Sequence, residues 1–408
     1  MVTITNIPRK EAGKVEAASP WILIYGRRKV GKTFMVRNFI KHDLYFLIKR
    51  GGGAFVEKNT TVRVDDYNIL CDMIFDALKD GKRVVVDEFQ RLPAEFIDRL
   101  QLHHPAGNLI LLGSSLHVAR DLTSKRSPLL GLMSEIRLSL ISPSDIFSSL
   151  AGKIDAENAL ALSPYLRDPW TLKYLEGTPE RTIMKILEYS KNAIPALIGE
   201  AFIDEDRFLS EVYEGVIRSI AGGKNTLGEV SDQLYSNKLI KANNPSLVRP
   251  YVRNMEDMDL IKRVPLYGKR GYYYTVRSKV MDLYYYLDAK YGPEADKPRL
   301  IKEVVGDRLP THIQLFLGEL MAELMDGTFQ YKMTKDFDID IIITRRDKPV
   351  FAAEVKWSKN VQTKEVYKFM DNSADLDCRK AMITRTPVRT EELEVITPEL
   401  LLKMVSKK

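Results

Sequence analysis

Four groups of residues have types and spacings that could do chemistry, each in a different part of this 408-residue chain. The first is Gly26-Arg27-Arg28-Lys29-Val30-Gly31-Lys32-Thr33. It fits G-x-x-x-x-G-K-[ST], the pattern of a loop that cradles phosphates. Gly26 and Gly31 permit positive φ and close backbone approach. The N–H groups of the loop, from Arg27 through Val30, and the start of the next helix would then face an anion. Lys32 would reach the β- and γ-phosphates of a nucleotide such as ATP, and the Thr33 hydroxyl would bind Mg²⁺.

The second group closes the run Val84-Val85-Val86-Asp87-Glu88. Three valines in a row suit a strand buried on both faces of a parallel sheet, and acids at its C-terminal end lie where open α/β sheets place ligands. Asp87 would hold Mg²⁺, directly or through water, and Glu88 would polarise the attacking water. A further apolar run, 108–112, ends in Gly113-Ser114-Ser115. Ser114 or Ser115 would touch the γ-phosphate or the water there; a plain serine-rich turn fits the same residues.

The third group lies near the C-terminus: Asp338, Asp340, Glu354 and Lys356, on strand-like segments 337–344 and 350–357 joined by Arg345-Arg346-Asp347-Lys348. A turn centred on Asp347 puts residues summing to 694 opposite each other, so Asp340 faces Glu354 and Asp338 faces Lys356, with Cβ atoms about 5 Å apart. Alternation places these four on one face and Ile339, Ile341 and Ile343 on the other. Three crowded carboxylates repel unless a cation sits between them, and oxygen ligands suit Mg²⁺ or Mn²⁺. Lys356 would orient or deprotonate the water that attacks a phosphodiester. Asp340 and Glu354 are the expected metal ligands, with Glu319 on the preceding helix as a candidate extra acid. The competing reading is an exposed hairpin whose acids and lysines form cross-strand ion pairs.

The fourth group is basic. Segments 208–221, 226–235 and 244–258 have helical spacing, the second opening with Thr226 and Glu229 as a capping box. Pro250 is expected to kink the third or delay its start. Strand-like 260–264 and 272–276 flank Gly268-Lys269-Arg270-Gly271. Three helices and a hairpin make a winged helix-turn-helix. Arg249 and Arg253 would then meet the major groove of DNA, and Lys262, Arg263, Lys269 and Arg270 the phosphates. A wing used only for protein contacts is the alternative.

Alternating strands and helices before residue 143 predict an α/β P-loop sandwich, preceded by a surface lead-in over 1–19. The expected division is a P-loop core over 1–143, a helical lid over 144–206, the winged helix over 207–292 and a C-terminal α/β domain over 293–408. Within that last part a helix is predicted over 311–325. Composition agrees with an ordered globular chain: 45% hydrophobic, 29% charged, and a net charge of +7 compatible with a polyanionic partner. Two cysteines without metal-ligand spacing, no apolar run of membrane-spanning length, and a polar 1–18 predict a cytoplasmic protein with no membrane partner.

These residues together resemble the archaeal P-loop ATPases of the AAA+ type that carry a C-terminal PD-(D/E)xK nuclease-like domain of restriction-endonuclease fold. The resemblance runs from residues 25–33 and 84–90 through 113–115 and 124–131 to 337–343 and 354–357. It implies ATP hydrolysis at 26–33, Asp87 and Glu88, and a nuclease-like site at Asp340, Glu354 and Lys356. Proteins of this kind usually carry an arginine directly after the PL-x-G segment; here Leu132 stands there, with Arg126 and Arg137 nearby as substitutes for a finger supplied within a homo-oligomer. The expected function is ATP-driven DNA processing. The alternative is a nucleotide-gated switch whose C-terminal half only binds DNA or protein.

Overall fold

The computed structural model describes residues 6–18, 20–58, 60–104, 106–114, 122, 127–204, 207, 209–292, 297–358, 361–388 and 390–407. Ser115 and Arg126 lie outside them. The chain forms two compact units: Pro8–Leu140 with Ala196–Phe208, and Met1–Ile7 with Ile141–Pro195 and Leu209–Lys408. The helices Pro143–Ala151, Ala156–Leu166 and Pro179–Ser190, grouped by sequence pattern with 196–206 as a lid, thus belong with the larger unit.

The smaller unit is built on seven strands: β1 (Trp21–Tyr25), β2 (Leu44–Ile48), β3 (Ala54–Glu57), β4 (Thr61–Val64), β5 (Arg83–Asp87), β6 (Asn108–Gly113) and β7 (Ser134–Arg137). Their order is β4-β3-β2-β5-β6-β1-β7, parallel from β2 to β7, with β3 and β4 antiparallel at one edge. Both faces of β1, β2, β5 and β6 are largely buried, which explains their apolar runs, whereas edge strand β7 buries only Ile136. Trp21, Leu23, Phe46, Val84, Val86 and Leu111 pack under the Tyr67–Lys79 and Glu95–His103 helices, and Ile22, Ile24, Val85 and Ile110 under Lys32–Phe39.

The N-terminal segment is more than a lead-in. Lys10–Ala17 is a helix with Val15 buried, and the buried Arg9 donates to the carbonyls of Val30 (2.7 Å), Ser139 (3.0 Å) and Leu140 (3.2 Å). Val15 and two alanines in an otherwise polar octet give almost no periodic signal, so this brace is invisible in the pattern.

In the larger unit, helices Glu211–Ala221, Leu227–Ser236 and Pro245–Asp257 precede an antiparallel hairpin of β8 (Ile261–Pro265) and β9 (Tyr272–Val276). The Thr226–Glu229 capping box is present. Pro250 neither delays nor ends its helix: the start is set at Pro245 by the Asn244 side chain, which accepts from the Ser246 N–H at 2.9 Å. Beyond the Lys279–Tyr291 helix, one 27-residue helix, Pro298–Leu324, replaces the predicted 311–325. Its internal Pro310 and weakly amphipathic sequence hid the first half.

A five-stranded sheet follows, ordered β10 (Thr328–Met333), β11 (Asp338–Arg345), β12 (Lys348–Lys356), β13 (Arg379–Thr384) and β14 (Glu394–Ile396). The β11–β12 turn is the pair Arg346-Asp347, both at positive φ (48° and 62°), as a type I′ hairpin requires. Its register begins with Arg345 opposite Lys348, then shifts between Ile343 and Thr344 so that Ile341 faces Ala353. The bulge restores the 694 register at the acidic end although the turn is centred differently. A second irregularity, between Gln330 and Lys332 on β10, breaks the simple alternation. Ile339 therefore packs with Ile342, Val366 and Phe369 instead of sharing a face with Ile341 and Ile343 alone.

Glu319 is no part of the acidic hairpin. Its carboxylate receives Arg167 at 2.8 Å, Lys262 at 3.0 Å and Arg277 at 3.2 Å in a largely buried cluster, and these cations hold its carboxyl well below the usual range. Nearby, buried Asp282 takes Arg308 at 2.9 Å. Removing the shared anion leaves three cations facing one another. Glu319→Ala should therefore cost about 3–5 kcal/mol, read as a lower urea midpoint for the larger unit.

Candidate nucleotide site and a second acidic pocket

The phosphate-type loop leaves β1 at Tyr25. Gly26 has φ 153°, and a Cβ there would lie 2.0 Å from the Leu138 carbonyl oxygen; Gly31 has φ 93°. Any side chain at Gly26 would thus collide with backbone, so the loop path depends on that residue. Within the loop Arg27 and Val30 are buried and Lys29 is exposed with φ 64°. Arg28 is bonded outward, donating to Asp204 at 2.8 Å and Glu200 at 3.4 Å.

Lys32 folds back on its own loop, donating to the carbonyls of Gly26 (2.6 Å) and Arg27 (3.0 Å). Burial pushes its ammonium down to about 8, against the pull of Glu88 and Asp87. A phosphate would replace those carbonyls with a full negative charge. The adjacent β5 brings in Asp87, only 1% exposed, whose Oδ2 accepts the Thr33 hydroxyl at 2.7 Å and the Tyr45 hydroxyl at 2.5 Å. A hydroxyl and a buried carboxylate in contact beside a buried lysine are the donor set that suits Mg²⁺ with a nucleotide phosphate. The residues present fit both groups.

Glu88 follows at φ 60°, and its Oε2 accepts Gln90 at 3.0 Å and Arg91 at 2.9 Å. Gln90 also donates to the Ser114 hydroxyl at 2.9 Å, so the tip of β6 is tied to the tip of β5. Leu132 packs against the hydrophobic core and Arg137 is exposed on edge strand β7. Three residues escaped the motif reading: Tyr45, Gln90 and Arg91. Only Tyr45 left a signal, a phenol within a buried apolar strand that must find a partner for its hydroxyl.

In the larger unit a cavity of about 590 Å³ is lined by Asp338, Asp340, Glu354, Lys356, Glu365 and Lys368, among others. Burial and the neighbouring Glu354 raise Asp340 to about 7, against the Val355 N–H, which donates to its Oδ2 at 2.8 Å. Lys356 lies 2.9 Å from Glu354 and 3.7 Å from Glu365. Burial works against its charge, but these carboxylates outweigh that and raise its pKa. As a held ammonium it can orient a water. Asp338 also lines the cavity, and its carboxylate accepts the Tyr331 hydroxyl at 3.0 Å. Among the described residues no group of three or more His, Cys, Asp or Glu side chains converges as a metal site, so Asp340 and Glu354 are the pair available.

The basic set divides. Arg249 and Arg253 are exposed on the Pro245–Asp257 helix, and Lys269 and Arg270 are exposed at the β8–β9 turn. Arg263 points outward too, its guanidinium 4.7 Å over the Tyr272 ring and 3.4 Å from Glu256. Lys262, one residue earlier on β8, faces the other way and is committed to Glu319. Strand alternation puts neighbours on opposite faces, so Lys262 and Arg263 were never going to serve together.

Residues 18–145 match the protein family described as an AAA domain. Over this stretch the chain has the AAA-type P-loop fold. An uncharacterized protein of Methanocaldococcus jannaschii is 23% identical over 397 residues, covering 85% of each chain. Among solved structures, the Walker-type ATPase of Pyrococcus abyssi is similar at 19% identity and TM-score 0.44, covering 69% of this chain and 96% of that one. The Aeropyrum pernix ORC2 protein, in ADPNP–ADP complexes, is similar at 15% identity and TM-score 0.29, with coverages of 74% and 96%. No helix among the described residues is long and apolar enough to cross a membrane.

The Asp340 environment sets a pH dependence. An aspartate near 3.9 when unfolded and near 7 when folded binds more protons in the folded state between those values, so folding stability falls as pH rises from about 4 to 7. In EDTA, the wild type should lose thermal stability over that window relative to Asp340→Asn. Parallel curves for the two proteins would show that Asp340 ionises freely.

Proposed function

We propose that the chain is an ATP-binding and ATP-hydrolysing protein whose nucleotide state governs two nucleic-acid-facing modules. The observation that carries the first half is the contact of Thr33 with Asp87 at 2.7 Å beside the buried Lys32. Bound Mg²⁺ would be held by Thr33 and Asp87 and would neutralise developing charge on the phosphates. Lys32 leaves the Gly26 and Arg27 carbonyls to pair with the β- and γ-phosphates, and the loop N–H groups from Arg27 to Val30 hold the remaining oxygens. Glu88 orients the attacking water once Gln90 and Arg91 release it, and Ser114 reaches the same space through Gln90. With Leu132 in place of the usual arginine, a second copy of this chain would have to supply a finger from elsewhere, such as Arg126 or Arg137.

The proposed domains are a P-loop core over 1–143, a winged helix over 207–292 and a nuclease-like domain over 293–408, with the lid over 144–206 dividing after Pro195 between the two compact units. Exposed Arg249, Arg253, Arg263, Lys269 and Arg270 support DNA as the partner, the first two at base edges and the others at phosphates; Lys262 is withdrawn from that set. Asp340 and Glu354, with Lys356 as a water-orienting cation, support a site for Mg²⁺ or Mn²⁺ that cuts phosphodiesters. The second reading, a nucleotide-gated switch with a non-catalytic C-terminal half, is favoured by one observation: among the described residues no three carboxylates of this pocket converge as a metal site.

Three measurements test this. Lys32→Ala should abolish ATP binding, whereas Glu88→Gln should keep binding and lower turnover by about 100-fold or more; unchanged turnover in both would end the ATPase reading. DNA affinity should fall steeply with salt, and Arg249→Ala should reduce that slope by about 1. Mn²⁺-dependent cutting of plasmid DNA by the wild type, lost in Glu354→Ala and Lys356→Ala, supports the nuclease; equal behaviour of all three leaves the switch.

A further inference from the structure

A buried carboxylate is costly unless donors surround it, and the donors that Asp87 has are informative. Both the Thr33 and the Tyr45 hydroxyls converge on a single oxygen, Oδ2, at 2.7 and 2.5 Å. Thr33 is the group that would turn its lone pair to a divalent cation. Tyr45 sits on the far side, on β2, two residues from Leu47, the ladder partner of Asp87. Strand alternation gives Tyr45, Leu47, Val85 and Asp87 a common face.

Tyr45 is itself held firmly. It is 1% exposed, its ring lies 5.5 Å from that of His42, and the Arg37 guanidinium stands 4.5 Å over its face. Arg37 in turn pairs with Glu57 at 2.5 Å, on the neighbouring β3. Because a carboxylate is planar, a rigid donor on Oδ2 also restricts the direction of Oδ1.

We propose that Tyr45 is a positioning residue for the divalent cation of the nucleotide site, holding the Asp87 carboxylate in the orientation that receives the ion. The idea rests on the Mg²⁺–nucleotide reading above. It goes beyond it by assigning the metal requirement to a residue on a strand outside the loop and the acidic strand end. Together with Thr33, the hydroxyl satisfies Asp87 before any cation arrives, so the site is preformed. It also remains in place when Thr33 changes partner, so Asp87 is not left to reorient at that moment. Such outer partners of metal-holding side chains typically change metal affinity by about 10–100-fold when removed.

The test is ADP binding to the full chain, followed by calorimetry across a Mg²⁺ titration. Tyr45→Phe removes one oxygen and keeps the ring contacts with His42 and Arg37. It should raise the Mg²⁺ concentration for half-maximal enhancement of ADP affinity about tenfold, while affinity without Mg²⁺ stays within about twofold of wild type. In an Asp87→Asn background the same substitution should add less than about twofold, because the partner it acts through has changed. A Mg²⁺ requirement for Tyr45→Phe within twofold of wild type overturns the proposal, as does a tenfold shift that persists with Asp87→Asn. Should Tyr45→Phe fail to fold, Tyr45→His, whose ring nitrogen stops short of Oδ2, is read against the same expectations. Wild-type protein that binds no ADP at any Mg²⁺ concentration is a separate outcome: it removes the nucleotide reading itself.

Discussion

The smaller unit depends on one constraint: the buried carboxyl group of Asp87, at the end of an apolar strand, must be satisfied where it lies. The Val84-Val85-Val86 run that precedes it is fully buried, so the backbone has no freedom to lift the acid into solvent. Its neighbours have to come to it. The Lys32–Phe39 helix brings Thr33 from one side and β2 brings Tyr45 from the other. That requirement ties the loop, the helix after it and two adjacent parallel strands into one arrangement. Gly26 completes it, since only a residue without Cβ can pass the Leu138 carbonyl at 2.0 Å. Arg9 then secures Val30 from below.

The larger unit solves the same problem differently. Asp282 and Glu319 are buried on neighbouring helices, and each recruits several cations instead of hydroxyls. Breaking such clusters is far more costly than their net contribution, because desolvation of each member has already occurred. They therefore specify which helices meet more than they add stability. Lys262 and Arg277 lie on and just after the β8–β9 hairpin, and Arg167 follows the Ala156–Leu166 helix. Glu319 so fastens the β8–β9 hairpin and the end of the Ala156–Leu166 helix to one point on the Pro298–Leu324 helix. His312, buried on that helix and pushed down to about 4 chiefly by its burial, is neutral at physiological pH and lies 2.9 Å from the Tyr165 hydroxyl.

Legibility in the sequence followed the strength of local constraint. The octet over 26–33 and the valine strand were readable because their chemistry needs a fixed spacing and their burial needs an unbroken apolar run. The Arg346-Asp347 hairpin is readable from its turn residues, and a bulge offsets the misplaced turn centre so that Ile341–Ile343 follow the expected register. What stayed hidden was decided by partners far away in sequence. Lys262 and Glu319 look like a phosphate contact and a metal ligand until the fold brings them together. Tyr45 looks like any strand aromatic until β5 lies beside β2. Asp338 shares a face with Asp340 by alternation, yet a tyrosine hydroxyl from β10 claims it.

The two acidic sites also differ in a way that bears on their chemistry. At Asp87 the charge is met by neutral hydroxyl donors and by a lysine that is free to move to a phosphate, an environment prepared for an incoming cation and anion together. At Asp340 the balance is tighter: two close carboxylates push one of them up to about 7, while Lys356 already neutralises the other. A divalent cation entering that pocket would have to displace a proton and loosen an ion pair, so its binding must strengthen as pH rises. In the loop site Lys32 donates only to the backbone carbonyls of Gly26 and Arg27, so a phosphate could take it over without breaking an ion pair, whereas Lys356 is already paired with Glu354.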